Sequence, residues 1–166
     1  MGKDKMAETL GVSVDECSAI LEQFNSKAPF LRMLFDNAMA AANKRGFIRT
    51  ILGRRSRFDQ WSSGYGSSPI TGYSKAQSVY EGQRIQRAFT SKALNRLIQG
   101  SAADQTKIAM VELHKQGVDL RLPVHDELNA MVTSDKEVKL ITDIMEHAIE
   151  LKVPTVADVD LGPTWC

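Results

Sequence analysis

Cysteine is nearly absent: the 166 residues hold two, Cys17 and the terminal Cys166. Two cysteines so far apart make neither a disulfide framework nor the ligand spacing of a structural zinc site, and they suit a reducing compartment. Long apolar runs are also missing. No stretch approaches the roughly 20 residues of a membrane span. The opening Met-Gly-Lys-Asp-Lys lacks the apolar centre of a signal peptide. The expectation is a soluble, cytoplasmic protein with no membrane partner. Nothing repeats at a period of 20–50 residues, which excludes a solenoid. Net charge is small as well, a formal +1, and by itself argues against a simple polyanion binder. What remains is ordinary for a globular domain, with 43% hydrophobic and 25% charged residues. A chain of this size can bury a core without disulfides or a structural metal.

The charge is segregated along the chain. Residues 32–107 carry thirteen basic and four acidic side chains, whereas residues 126–166 carry three lysines against nine carboxylates. A basic middle and an acidic end fit a polyanion held by one part and a cation or chemistry served by carboxylates in another. Two solvated faces of opposite sign fit equally well.

The first third has helical periodicity. Ser13 and Glu16 form a capping-box pattern ahead of Cys17, Ile20, Leu21 and Phe24. Pro29 suits a first helical position, and the apolar stripe after it stops near Gly46. Phe47–Ile51 and Arg57–Trp61, around a Gly53 turn, suggest a short hairpin. The segment 62–74, with five serines and three glycines, is a loop. Helical patterning returns from Lys75 to Gln116, with a break expected near Gly100. Alternation at Leu120, Leu122 and Val124, then at Leu128, Ala130 and Val132, predicts two strands joined at His125-Asp126. Ser134 with Glu137 opens another helix, to about Glu150, and Val156–Leu161 suggests a last strand. Helices followed by a small antiparallel sheet with another helix packed on it give an α+β fold.

Three segments could carry chemistry. Lys44 to Arg57 contains six basic residues, including Arg54, Arg55 and Arg57, and no acid. Arginine offers a permanent charge and a planar fork of donors for phosphate, though a solvated basic hairpin has the same composition. Asp126 and Glu127 follow His125 at the hairpin tip, where rigidly held carboxylates can bind a hard cation such as Mg²⁺. An Asp in a tight turn commonly just satisfies backbone donors instead. Asn95 and Gln99, four apart on one helix face, could donate to minor-groove acceptors or simply be surface amides. His114 and His147 have no ligand partners at useful spacing, which weakens a phosphohydrolase built on His125-Asp126.

Taken together, Gly53-Arg54-Arg55, then Ala93–Asp104 in the pattern A-x-N-x-x-x-Q-G-[ST]-A-A-D, then Val124-His125-Asp126-Glu127, then Gly162–Trp165 as G-x-x-W, resemble the C-terminal part of a family A DNA polymerase. The resemblance runs along nearly the whole chain apart from 62–74. From Arg87-Ala88-Phe89 through the short ending it is closer to phage replicative enzymes, which implies a host-cell cytoplasm. It implies that residues 1–46 are the last helices of the fingers, 47–74 a basic hairpin and loop, and 75–166 the C-terminal palm. By the same resemblance Asp126 is the motif C metal ligand, Glu127 its supporting acidic neighbour, and His125 a residue near the primer terminus. Asn95 and Gln99 track the minor groove, and Arg54 and Arg55 grip the duplex backbone; Arg57, in the same basic segment, is expected to bind DNA beside them. Many family members carry a basic residue four positions before the motif's Asn; Ser91 stands there, with Lys92 adjacent as a substitute contact.

The resemblance also implies partners. The second catalytic aspartate, motif A, and the nucleotide-binding helix lie upstream in the family, and no Asp-Tyr-Ser type segment occurs in these residues. The family helix ends in Tyr-Gly close to where Met1-Gly2 falls. The expectation is therefore a polymerase subunit or fragment that shares a two-Mg²⁺ site with a separate N-terminal part and acts on primer-template DNA and a dNTP. A noncatalytic duplex-binding module or an inactive remnant is the alternative.

Overall fold

A computed structural model describes residues 3–64 and 66–164. Helices α1 (Lys3–Leu10), α2 (Val14–Lys27) and α3 (Pro29–Arg45) come first. The α2 start is a complete capping box. The Ser13 hydroxyl accepts from the Glu16 amide at 3.2 Å, while the Glu16 carboxylate accepts from the Ser13 amide at 3.0 Å. The Ser13 amide, and the Ser13 hydroxyl donating to the same carboxylate oxygen at 2.8 Å, hold the Glu16 carboxyl below its ordinary pKa. α3 starts on Pro29 and stops at Gly46.

Strands β1 (Phe47–Arg49) and β2 (Arg55–Arg57) pair around a tight turn. The second strand of this hairpin is thus two residues earlier than the expected Arg57–Trp61. Gln60–Ser62 instead forms β3, the centre of a separate antiparallel sheet with β4 (Ile70–Thr71) and β5 (Gln86–Arg87). α4 (Tyr73–Val79) follows β4, then a 3₁₀ turn (Thr90–Lys92), α5 (Ala93–Lys115), the hairpin β6 (Asp119–Val124) and β7 (Glu127–Met131), and α6 (Asp135–His147). The architecture is mixed helix and sheet, with small antiparallel sheets.

Four sequence expectations are corrected. Residues 75–92 are not one helix leading into α5. Their path is set by Arg87, which donates to the Phe58 and Asn43 carbonyls at 2.7 and 3.2 Å and lies over the Trp61 ring at 4.3 Å. A guanidinium held by carbonyls and an aromatic face ties the segment to the β3 sheet and outweighs helix propensity. α5 runs unbroken through Gly100. Val156–Leu161 forms no strand: its β-prone residues find no ladder partner among the described residues, and the Ala157 amide donates instead to Glu146 Oε1 at 3.0 Å. In the expected α6 capping box, Ser134 accepts from the Glu137 amide at 3.4 Å, but the Glu137 carboxylate reaches back to the Thr133 amide at 2.6 Å, one residue early.

The chain divides into two compact units. One comprises Met1–Ile48 and Arg57–Leu94; its buried apolar residues include Cys17, Ala42, Ile48 and Phe58. The other comprises Arg49–Ser56 and Asn95–Cys166, with Ala109 and Leu113 buried and Gln105 donating from α5 to the Met145 carbonyl of α6 at 3.4 Å. Both cores are small. Phe24, Phe30, Met33 and Leu34 in the first unit, and Ile98, Val153 and Val156 in the second, are exposed.

Candidate active site and nucleic-acid interface

The hairpin tip brings His125, Asp126 and Glu127 together. Val124 pairs with Glu127 and Pro123 with Leu128, leaving His125 and Asp126 as a two-residue connection. His125 is left-handed at φ 57°, a first-turn position that glycine usually takes. A non-glycine there stores strain of about 1 kcal/mol or more, which persists only where the ladder on both sides holds it. His125, Asp126 and Glu127 are all exposed. Among the described residues the Asp126 carboxylate makes no hydrogen bond or ion pair. It therefore does not perform the backbone-satisfying job that an Asp in a turn commonly does. Glu127 accepts from the Asn129 amide at 3.2 Å, which fixes its side chain beside the tip.

These two carboxylates supply hard oxygen donors of the kind Mg²⁺ takes, together with water and phosphate. Among the described residues no group of three or more His, Cys, Asp or Glu side chains could enclose a metal. The donor chemistry fits such a cation, and two carboxylates alone do not enclose it.

On α5, Asn95 and Gln99 are exposed about 40° apart around the axis, and neither amide makes a hydrogen bond among the described residues. The opposite face of the same helix is occupied. There Gly100, Ser101 and Asp104 receive the turn that joins β1 to β2. The Ile51 amide donates to Ser101 Oγ at 3.1 Å, and Arg54 donates through Nε to Asp104 Oδ1 at 2.7 Å and through Nη2 to the Gly100 carbonyl at 2.8 Å. A Cβ on Gly100 would stand 2.9 Å from the Thr50 methyl, so the approach needs glycine. The turn itself closes with Gly53 at φ 82°, the Gly53 amide on the Thr50 carbonyl at 2.8 Å, and the Thr50 hydroxyl accepting from the Arg54 amide at 3.1 Å.

Asp104 is the residue that sequence reasoning passed over. It is 5% exposed, and its Oδ2 is buried with no hydrogen bond among the described residues. Burial pushes its carboxyl up. The nearby Thr50 hydroxyl, the Arg54 hydrogen bond, and the charges of Arg54 and Lys107 outweigh that and leave it below the ordinary value. The available signal was an acid half a turn off the Asn95–Gln99 face, following a fourteen-residue basic stretch without a counter-charge.

The remaining candidates are exposed: Arg55, Arg57 and Lys92. Lys92 Nζ lies 5.1 Å from the ring centre of Phe89, itself left-handed at φ 60° and 41% exposed. Gly162, Pro163 and Thr164 are exposed and irregular; Trp165, the last residue of that motif, lies outside the described residues.

The model of DNA polymerase family A matches residues 1–166. A DNA-directed DNA polymerase of Pseudomonas phage M6 is 37% identical over 90% of this chain and 19% of its own length. A thermostable DNA polymerase I of Thermus filiformis is 31% identical over 99% of this chain and 19% of its own length. Among solved structures, the POL domain of Pol1 from M. smegmatis, in complex with DNA primer-template and dNTP, superimposes with a TM-score of 0.67 at 28% identity. The match covers 93% of this chain and 26% of that one. The chain spans about a fifth of the length of the curated relatives it matches. No helix among the described residues is long and apolar enough to cross a membrane. With a family model along its whole length and a polymerase domain sharing its fold, the chain belongs to DNA polymerase family A.

Proposed function

We propose that these residues form the part of a template-dependent DNA polymerase that supplies the motif C carboxylates and part of the primer-template grip. In this reading they work with polypeptide carrying the motif A aspartate and the nucleotide-binding helix. The observation that carries it is the hairpin tip: a strained His125 in a glycine position and an exposed Asp126 whose carboxylate no group among the described residues uses.

Each residue then has a stated task. Asp126, with Glu127 beside it, holds the cation side of the site, and His125 stands by the primer terminus. Mg²⁺, when bound, supplies charge stabilisation for phosphoryl transfer. Asn95 and Gln99 donate to purine N3 and pyrimidine O2 atoms, which correctly formed pairs present at nearly the same positions in the minor groove. Arg54, Arg55, Arg57 and Lys92 neutralise backbone phosphates. Phosphoryl transfer with two metals needs carboxylates from a second motif, which is why the chain is read as dependent on that other part. The exposed Phe30, Met33 and Leu34, one apolar stripe at helical spacing on α3, support further polypeptide packing there.

The test is primer extension in Mg²⁺ by the polymerase containing this chain, with and without Asp126→Ala. Extension that depends on Asp126 supports the proposal. No extension, or full extension by the variant, refutes it and leaves a duplex-binding module or an inactive remnant.

A further inference from the structure

Five N–H donors of an arginine lie in one plane and form two separate forks, a side edge of Nε with one Nη and an end edge of both Nη groups. Arg54 spends its side edge inward, Nε on Asp104 Oδ1 at 2.7 Å and Nη2 on the Gly100 carbonyl at 2.8 Å. Its Nη1 makes no hydrogen bond among the described residues, and the side chain is 48% exposed against 5% for Asp104. The end fork therefore faces solvent on a side chain whose direction is fixed from behind. A half-exposed arginine without such backing would have to give up rotamer freedom on meeting a phosphate; one already held gives up less.

Asp104 is costly where it stands. A buried carboxylate costs desolvation even with the Arg54 pair and the Thr50 hydroxyl close by, and an apolar residue of like size would avoid that cost. The turn has other ties to α5, notably Ile51 to Ser101, and the absence of a Cβ on Gly100 already permits close approach. What Asp104 adds is direction for the guanidinium.

We infer that Asp104 is a positioning residue for DNA binding, acting through Arg54: it holds the inner edge of the guanidinium so that the outer fork takes one backbone phosphate in a bidentate grip. This rests on the polymerase reading above and assigns a role to a residue which that reading leaves without one. A lysine at position 54 cannot do the same, because a single ammonium cannot occupy the carboxylate, the Gly100 carbonyl and a phosphate with fixed geometry.

The experiment is salt-dependent binding of a labelled primer-template to the polymerase containing this chain, by fluorescence anisotropy, with unfolding curves run alongside. Asp104→Asn and Arg54→Gln are each expected to weaken binding by about tenfold, the worth of one charge-assisted pair. Each is expected to flatten the plot of log K against log salt by about 0.9, one phosphate's contribution. The double variant is expected to bind no more weakly than either single one. Arg54→Lys is expected to weaken binding despite its charge, and it carries the test if Asp104→Asn does not fold. Wild-type affinity and slope in Asp104→Asn, additive losses in the double variant, or wild-type affinity in Arg54→Lys would each overturn the inference. Failure of the unsubstituted protein to bind overturns the polymerase reading along with it, whereas normal binding with unaffected variants overturns this inference alone.

Discussion

Two tight turns in the same unit are built in opposite ways. The turn at 50–54 has a glycine at its left-handed position, an internal net of hydrogen bonds, and an arginine whose inner edge is committed to a buried carboxylate. The turn at 124–127 puts histidine at its left-handed position and leaves the exposed Asp126 carboxylate with no hydrogen bond or ion pair among the described residues. One turn is relaxed and commits its backbone groups and the inner edge of Arg54 to the protein, leaving only the outer edge of that guanidinium exposed. The other is strained and keeps its charge for something outside. In the proposed reading that contrast distinguishes a DNA-gripping turn braced from behind from a turn that holds the cation, since strain and unspent polar groups are retained where they are used.

The comparison can be broken most easily at the tip. Asp126→Asn is expected to slow nucleotide incorporation by about three orders of magnitude, the several kcal/mol that metal-held charge stabilisation is worth. Its unfolding curve should stay within about 0.5 kcal/mol of the parent because the side chain is exposed. A rate within tenfold of the parent would move the site elsewhere.

At the other turn the expected loss is of stability. Gly100→Ala places a methyl 2.9 Å from a stiff, 5%-exposed Thr50. Overpacking of about 1–3 kcal/mol should exceed the roughly 1 kcal/mol gained in helix propensity. Adding Thr50→Ser removes the clashing methyl and keeps the hydroxyl, so urea unfolding of the double variant should recover most of the loss. No recovery would mean that the turn does not rest on α5 as described.

A smaller effect of opposite sign is expected at His125. Glycine there relieves the left-handed strain and costs backbone entropy in return, for a net gain of a few tenths to about 1 kcal/mol. Primer extension should slow in the same variant. A substitution that stabilises and impairs together marks a residue kept for function.

The smallest effect sharpens the contrast through pH. Asp104's carboxyl lies below its ordinary value in the folded protein, so its contribution to stability is complete above about pH 4 and lost as pH falls through the folded value. Asp104→Asn should lack that acid-side decline while keeping those of Glu16 and Glu137, whose carboxyls are also lowered. Parallel acid unfolding curves for parent and variant would contradict the assignment.

Local signals were legible in the sequence and longer-range ones were not. Ser13 with Glu16, Pro29 and Gly46 each act within a few residues, and each sits where its chemistry predicts. The β6–β7 hairpin was legible because alternation and a two-residue connection are local as well. Residues 75–92 were not, because Arg87 answers to carbonyls 29 and 44 residues away. Val156–Leu161 has strand propensity, but a strand also needs a partner ladder. Gly100 looked like a helix break because its purpose, room for Thr50, lies fifty residues earlier. At the site, the exposed candidates were all visible as residue types, while Asp104 was visible only as the end of the Ala93–Asp104 pattern, its place behind Arg54 lying fifty residues away in sequence.

The division of labour between the two turns is tested most directly by single-turnover incorporation of one nucleotide, measured across primer-template concentration for the parent, Asp126→Asn and Asp104→Asn. The expected result is a split: Asp126→Asn loses rate at saturation with little change in DNA affinity, and Asp104→Asn loses affinity with the saturated rate nearly intact. Loss of saturated rate in Asp104→Asn with affinity unchanged, or an Asp126→Asn enzyme that incorporates at the parent's rate, would contradict the account.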